Sequence, residues 1–433
     1  MEEKLYLGVG RACITPAIGS LLMGYGPNTV SNAVHDDLNA TAFWFKQGER
    51  CALLVSIDLC LIHTALCDEM RARIAKEYDI PYGNILLSCT HTHSGPNLCG
   101  MTGWGEVDEA YYRGVFLPAL FSAIAEARDK RVAVKMGVGT GESLVGINRR
   151  QLKADNKIYF GQNPWGPFNP VMTVVSFRDE TGASVANLVH YGAHCTCAGQ
   201  NHEISRDWCG VMVDELEAVS GGITAFVNGP EGDVGPRLTN GLTVGRGDVR
   251  YAERHGALAA ADAVRIYKSI KSFDTVELSV LEASVTLPLD GRVALEVAER
   301  EYEVYKNNTV GSRHLKEQYY EEQIRLYREG YVDKETVSIP QSILKLGEVV
   351  FIATPFEMFS VVGLRIAEES SIQHTLTLAC TNGAENYFVT EDQICRGGYE
   401  VDMFKCGHVQ PFADNADWHF VTGTVENLKK FKD

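Results

Sequence analysis

No apolar run in this chain approaches the roughly 20 residues needed to cross a bilayer, and no cysteines are spaced Cys-x-x-Cys. The first absence leaves no candidate membrane span. The second removes the commonest zinc-thiolate and redox motifs. The twelve cysteines occur singly, mostly inside apolar segments (Cys51, Cys60, Cys67, Cys380), as in a reducing compartment rather than a disulfide scaffold. Positive charge is also short. Lys and Arg number 40 against 56 Asp and Glu, a net charge of -16, which argues against nucleic acid or an anionic membrane surface as partner. No basic-then-apolar leader precedes the first strand pattern, so a cytoplasmic protein without a stable membrane anchor is expected. There is no His-Glu-x-x-His, no Gly-x-Ser-x-Gly and no phosphate-binding glycine loop.

What is present is an alternation of strand and helix patterns over 433 residues, with 45% apolar and 22% charged residues. Strands are expected near 5–10, 41–45, 51–57, 84–88, 132–138, 171–177, 183–189, 224–227, 337–346, 349–353 and 375–379. Helices are expected near 62–78, 109–130, 207–219, 248–269 and 355–369. The segment 293–335 is charged and helical in pattern, a hairpin laid over the fold. With no internal repeat or linker, the reading is one α/β domain spanning 1–433. It is a layered sandwich with a central mixed β-sheet flanked by helices, plus that helical excursion.

Chemistry gathers at the strand ends. Asn84-Ile85-Leu86-Leu87-Ser88 runs into Cys89-Thr90-His91-Thr92-His93-Ser94-Gly95-Pro96. Two histidines two apart in an extended segment face the same way and can share one metal or one substrate. A bare His-x-His is as readily a polar strand end bonded to nearby backbone. Asp58, His194, Asp233 and Glu357 also follow predicted strands, and strand ends in a layered α/β fold converge on one edge. Asp207 reads as a helix cap or a catalytic acid, Glu357 as a residue at a helix start, and Cys195 and Cys197 as small buried residues.

These residues resemble the neutral/alkaline non-lysosomal ceramidase family, N-terminal catalytic domain. Thr90-His91-Thr92-His93-Ser94-Gly95-Pro96 is similar to its signature, and Gly8-Val9-Gly10-Arg11, Ile14-Thr15 and Met23-Gly24-Tyr25 to its opening. Asn148-Arg149, His194-Cys195-Thr196 and Ser205-Arg206-Asp207 resemble later motifs. Glu357 before Gly363, and Tyr387 before Tyr399-Glu400, resemble the last ones. The resemblance implies one catalytic zinc ion (Zn2+) held by His91, His194, Glu357 and Tyr387. It also implies His93 as a proton carrier, with Asp207 the second choice, Asp58 as a residue orienting a ligand histidine, and Arg149 as a cation for a substrate oxygen. Asp233 belongs to the matched catalytic loop, and Tyr25, His35 and Gly235 fall on the substrate side.

Two departures set expectations. Gly232-Asp233-Val234-Gly235-Pro236 has glycine where the family has its nucleophilic serine, and the chain stops where ceramidases continue into a C-terminal β-sandwich. The expected activity is therefore hydrolysis of an amide, or next an ester or lactone, in a small or medium substrate other than ceramide, by metal-activated water. A sugar-derived linkage and a non-catalytic binding protein are the alternatives. Gly235 itself reads as a loop residue needing glycine's backbone freedom. The expected partner is a small molecule, with no nucleic acid, and a homo-oligomer is left open.

Overall fold

The computed structural model describes residues 3–237 and 247–431. Strand β1 (Leu5–Cys13) pairs antiparallel with β2 (Asn39–Gln47), and β2 with β3 (Arg50–Ile57). Strand β4 (Ile85–Cys89) lies parallel to β3. Beyond the other edge of β1 come β5 (Val132–Glu142), β6 (Val171–Asp179) and β7 (Ser184–Tyr191), all antiparallel. Strand β8 (Ile223–Asn228) runs parallel to β7, so the sheet order is β8-β7-β6-β5-β1-β2-β3-β4. The hairpin expected around Asp179 to Gly182 is there, with Gly182 at φ 88°.

This sheet curls until its two edges meet. Ser56 Oγ on β3 donates to the Phe226 carbonyl on β8 at 2.6 Å, and Asn228 Nδ2 at the end of β8 donates to the Thr90 carbonyl just past β4 at 3.2 Å. Segments at opposite ends of the strand order thereby become neighbours.

A second sheet covers the inner face. It consists of β9 (Leu278–Pro288), β10 (Thr336–Leu346), β11 (Val349–Ala353) and β12 (His374–Leu378), with β11 and β12 parallel. Strand β9 is absent from the sequence-based expectation. It is an edge strand with half-exposed residues and Glu282 in its middle, so neither strict alternation nor a continuous apolar run marks it. Leu5, Leu7, Phe43, Phe45, Leu54, Phe177 and Leu188 meet Leu344, Leu346, Phe351, Leu376 and Leu378 between the sheets.

Helices close the outer faces. Of α1 (Thr64–Tyr78), α2 (Leu117–Asp129), α3 (Asp207–Ser220) and α4 (Val249–Ser269), α2 packs on β1 and β2. Trp208, Met212, Ala259 and Ala263 of α3 and α4 pack against Met172, Val174, Val189 and Phe226. The single helix expected at 109–130 is instead a turn of helix at Glu109–Tyr111, a wide turn at Tyr112–Phe116 and then α2, with Pro118 in its first turn. The excursion comprises α5 (Leu295–Tyr305) and α6 (Gly311–Glu329), with a surface groove of about 900 Å³ against Cys406–Val409. The second sheet is covered by α7 (Ser360–Glu369) and α9 (Ala416–Leu428), with α8 (Tyr399–Cys406) between them in the chain. No described helix is long and apolar enough to cross a membrane.

Strand β1 touches α2 through glycine. A Cβ at Gly8 would lie 1.7 Å from the Ala127 carbonyl oxygen, and one at Gly10 would lie 2.2 Å from that of Ala123. Gly8→Ala is expected to cost about 1–3 kcal/mol in urea unfolding, the usual penalty of overpacking. Gly114→Ala, with nothing within 4 Å, should leave stability unchanged or raised.

Candidate metal centre

The parallel strands deliver their C-terminal ends to one place, as α/β sheets do. His91 follows β4, His194 follows β7, and Glu357 follows β11. Glu357 is not at a helix start. Glu357–Met358 forms a two-residue parallel bridge with Tyr387–Phe388, Glu357 directly opposite Tyr387, and α7 begins only at Ser360. This pairing brings the two residues together across 29 intervening positions.

Both histidines are fixed by main-chain carbonyls. His91 Nδ1 is 3.0 Å from the Cys60 carbonyl oxygen, and His194 Nδ1 is 2.9 Å from that of Glu231 and 3.1 Å from that of Val234. A carbonyl only accepts, so each Nδ1 carries the hydrogen and each Nε2 presents a lone pair inward. His91 also holds φ at 66°, a left-handed conformation unusual for a histidine and of the kind that collects at functional sites.

Glu357 Oε2 lies 3.4 Å from His91 Nε2 and 3.3 Å from His194 Nε2, and it is buried without a hydrogen-bond partner. Tyr387 Oη is 3.4 Å from His194 Nε2 and accepts a hydrogen bond from Arg149 Nη2 at 2.9 Å. His93 Nε2 is 3.1 Å from His91 Nε2. Zinc bound at about 2.0–2.1 Å to N and O ligands in a tetrahedron sets ligand–ligand edges of about 3.3–3.4 Å. The donor spacings fit that geometry. His91, His194 and Glu357 can together hold one ion.

Burial opposes charge on His91, yet Cys60, Cys380 and Glu357 raise it well above the ordinary imidazole range, so positive charge is favoured at that ring. Burial, with Arg149 adding, pushes His194 down to about 3. Burial and the neighbouring His91 and His194 also lower His93. Burial opposes ionisation of Glu357, yet His91 and His194 hold its carboxyl well below the ordinary range.

Several expected roles change. Arg149 is not free for a substrate oxygen: its Nε donates to Glu400 at 3.0 Å and its Nη2 to Tyr387. Asp58 does not orient a ligand histidine. Its carboxylate accepts from the Asn39 amide, and the Cys60 carbonyl holds His91 instead. Asp207, at φ 60°, accepts the amides of Cys197, Ala198 and Trp208, so it shapes the loop after His194. Asp233 accepts from Asn148 Nδ2 and the Ser360 amide, and burial raises it to about 6. His35 lies 3.6 Å from Glu253 on α4, with no contact to the histidine cluster among those described. Tyr25 does reach the cluster. Its ring is 5.2 Å from that of His93, and its buried hydroxyl is unpartnered.

Gly235 does not need to be glycine. Its φ is not left-handed, and an added Cβ would meet only Arg149 Cβ at 3.6 Å and Cδ at 3.8 Å, ordinary contact. Sequence reasoning missed Glu231, fully buried beside the centre, with Oε1 accepting from Cys380 Sγ at 3.2 Å and Oε2 unpartnered. Burial pushes it up to about 8. The available signal was its place in the loop after β8, one residue from Gly232-Asp233.

Residues 5–248, more than half of the chain, match the model of the family described as neutral/alkaline non-lysosomal ceramidase, N-terminal. The chain belongs to this family. Neutral ceramidases A and B of Dictyostelium discoideum are 30% identical over 279 residues and 31% over 278, each covering 56% of this chain and 37% of the relative. Neutral ceramidase of Mycobacterium tuberculosis is 28% identical over 277 residues, covering 55% of this chain and 41% of the relative. The matched part thus spans little more than a third of these relatives' length. In fold, the crystal structure of neutral ceramidase from Pseudomonas aeruginosa is similar with a TM-score of 0.74 at 19% identity, over 99% of this chain and 74% of that one. The matched family segment contains His91, His194, Asp233 and Gly235, whereas Glu357 and Tyr387 lie beyond it.

Two outcomes are expected here. Burial raises the Asp58 carboxyl from 3.8 to about 6, so the folded chain binds that proton more tightly than the unfolded one. Stability should therefore fall as pH rises from about 4 to about 6, and Asp58→Asn should remove up to about 3 kcal/mol of that fall in urea titrations at the two ends. Gly235→Ser should fold with stability within about 1 kcal/mol of the parent by the same measurement.

Proposed function

We propose that this protein is a zinc-dependent hydrolase cleaving an amide bond of a small or medium substrate, with an ester or lactone as the next choice. The observation that carries the reading is the orphaned, buried Glu357 Oε2 facing two imidazole lone pairs. A buried carboxylate oxygen with no hydrogen-bond partner, set against two imidazole nitrogens, is costly in a dry interior and calls for a cation. Two imidazoles, a carboxylate and a phenol oxygen form a borderline donor set that suits zinc. Bound zinc supplies a Lewis acid and lowers the pKa of its water to about 7.

The chain's own residues divide the remaining work. The Cys60, Glu231 and Val234 carbonyls keep His91 and His194 in the ligating tautomer. Arg149, anchored by Glu400, steadies Tyr387 Oη and favours its ionised form. His93 stands beside the ligand edge with Nδ1 buried and unpartnered, takes the proton released by the attacking water and passes it to the leaving group. The unpartnered Tyr25 hydroxyl donates to the substrate. With no hydroxyl at position 235, water is the attacking group. The buried setting and the rings of Tyr25 and Tyr399 around it favour a small substrate.

Metal analysis tests this first. Glu357→Gln is expected to lower zinc content by one ion per chain, whereas His93→Gln keeps the ion and loses about 10²–10⁴ in turnover on an amide, ester and lactone panel. A protein with no zinc and unchanged stability on chelation would refute the metalloenzyme reading.

A further inference from the structure

The face of His91 opposite Glu357 carries a second donor cluster that the proposed reaction does not use. Cys380 Sγ lies 3.6 Å and Cys60 Sγ 3.7 Å from His91 Nδ1. Glu231 Oε1 lies 3.2 Å from Cys380 Sγ. Donor atoms of His91, Glu231 and Cys380 lie close enough together to hold one ion. Zinc-class ions bond sulfur at about 2.3 Å and nitrogen or oxygen at about 2.0–2.1 Å, so tetrahedral S–N and S–O edges are about 3.5 Å. The His91–Cys380 and Glu231–Cys380 spacings both lie within about 0.3 Å of that.

A separate observation points to a ligand. Glu231 is 0% exposed, and its Oε2 has no hydrogen-bond partner. Its other oxygen has only a thiol, a weak donor. Buried carboxylates of this kind are ordinarily paired or bound to metal.

We propose that His91 Nδ1, Glu231 and Cys380 form a second cation site, taking a thiophilic divalent ion of the zinc class and sharing the His91 ring with the first centre. Loading forms bonds from the ion to Cys380 Sγ, a Glu231 oxygen and His91 Nδ1, which leaves a fourth position open. The Cys380 thiol proton, the Glu231 carboxyl proton and the His91 Nδ1 proton pass to solvent, and the Nδ1–H hydrogen bond to the Cys60 carbonyl is given up. No electron is transferred. This goes beyond the hydrolase reading and does not need it, because the thiol side can bind whether or not Glu357 does.

The test is the full chain, with the exposed Cys13 and Cys395 replaced by serine, expressed in cobalt-supplemented minimal medium so that the ion loads during folding. Two cobalt ions per chain and a sulfur-to-cobalt charge-transfer band in the near ultraviolet are expected. Cys380→Ser should abolish the band and lower cobalt by one ion, Glu231→Gln should weaken the same ion at least tenfold in dialysis, and Glu357→Gln should leave the band intact. If Cys380→Ser does not fold, Glu231→Gln, nearly isosteric, decides alone. Absence of the band in the parent, or a band unchanged in the folded variants, overturns the second site. Failure of the first centre would instead show as a Glu357→Gln protein with unchanged cobalt.

Discussion

One buried amide holds the centre together. Asn228, at the C-terminal end of β8 and 0% exposed, donates from Nδ2 to the carbonyls of both Thr90 and Ala193, while its Oδ1 accepts from the Ala193 amide. Its own carbonyl accepts from the Ala379 amide. Thr90 precedes His91, Ala193 precedes His194, and Ala379 precedes Cys380. A single side chain therefore sets the spacing between the segments that carry both histidines and the thiol, and it does so where the two edges of the large sheet come together. The curl of the sheet, rather than any local motif, makes neighbours of residues a hundred positions apart.

Around that junction the polar groups form nested supports. Carbonyls orient the histidines, Asp207 pins the loop after His194 through the Cys197 and Ala198 amides, and Asp233 ties the Gly232 loop to the start of α7. Glu400 receives both Arg149 and Arg150, which leaves Arg149 aimed at Tyr387. Each of these acids looks catalytic by composition. In the fold each satisfies donors that burial would otherwise strand.

The sequence made much of this legible, for physical reasons that differ from residue to residue. Long strands such as β2 and β6 announce themselves by apolar periodicity, and His91 and His194 by standing at strand ends. Family motifs then singled out Glu357 and Tyr387. The two-residue bridge that pairs them is too short to carry any periodicity. Arg149's engagement with Glu400 spans 251 positions, and no local pattern encodes it. Glu231 looked like one more loop acid, because only the fold shows that water cannot reach it. Strand β9 was hidden by its half-exposed edge position.

The depth of the proposed ligands has a kinetic side. His91, His194, Tyr387 and Glu357 expose 1%, 0%, 4% and 6% of their surface, and Trp104, Tyr387 and Tyr399 stack edge to face nearby. Exchange with bulk solvent at such depth waits on local opening of the surrounding loops, whose frequency is set by packing rather than by bond strength. An ion captured as the chain folds would have a residence time governed by those fluctuations. Its occupancy would then record the metal supply at the moment of synthesis more than the supply in the surroundings afterwards.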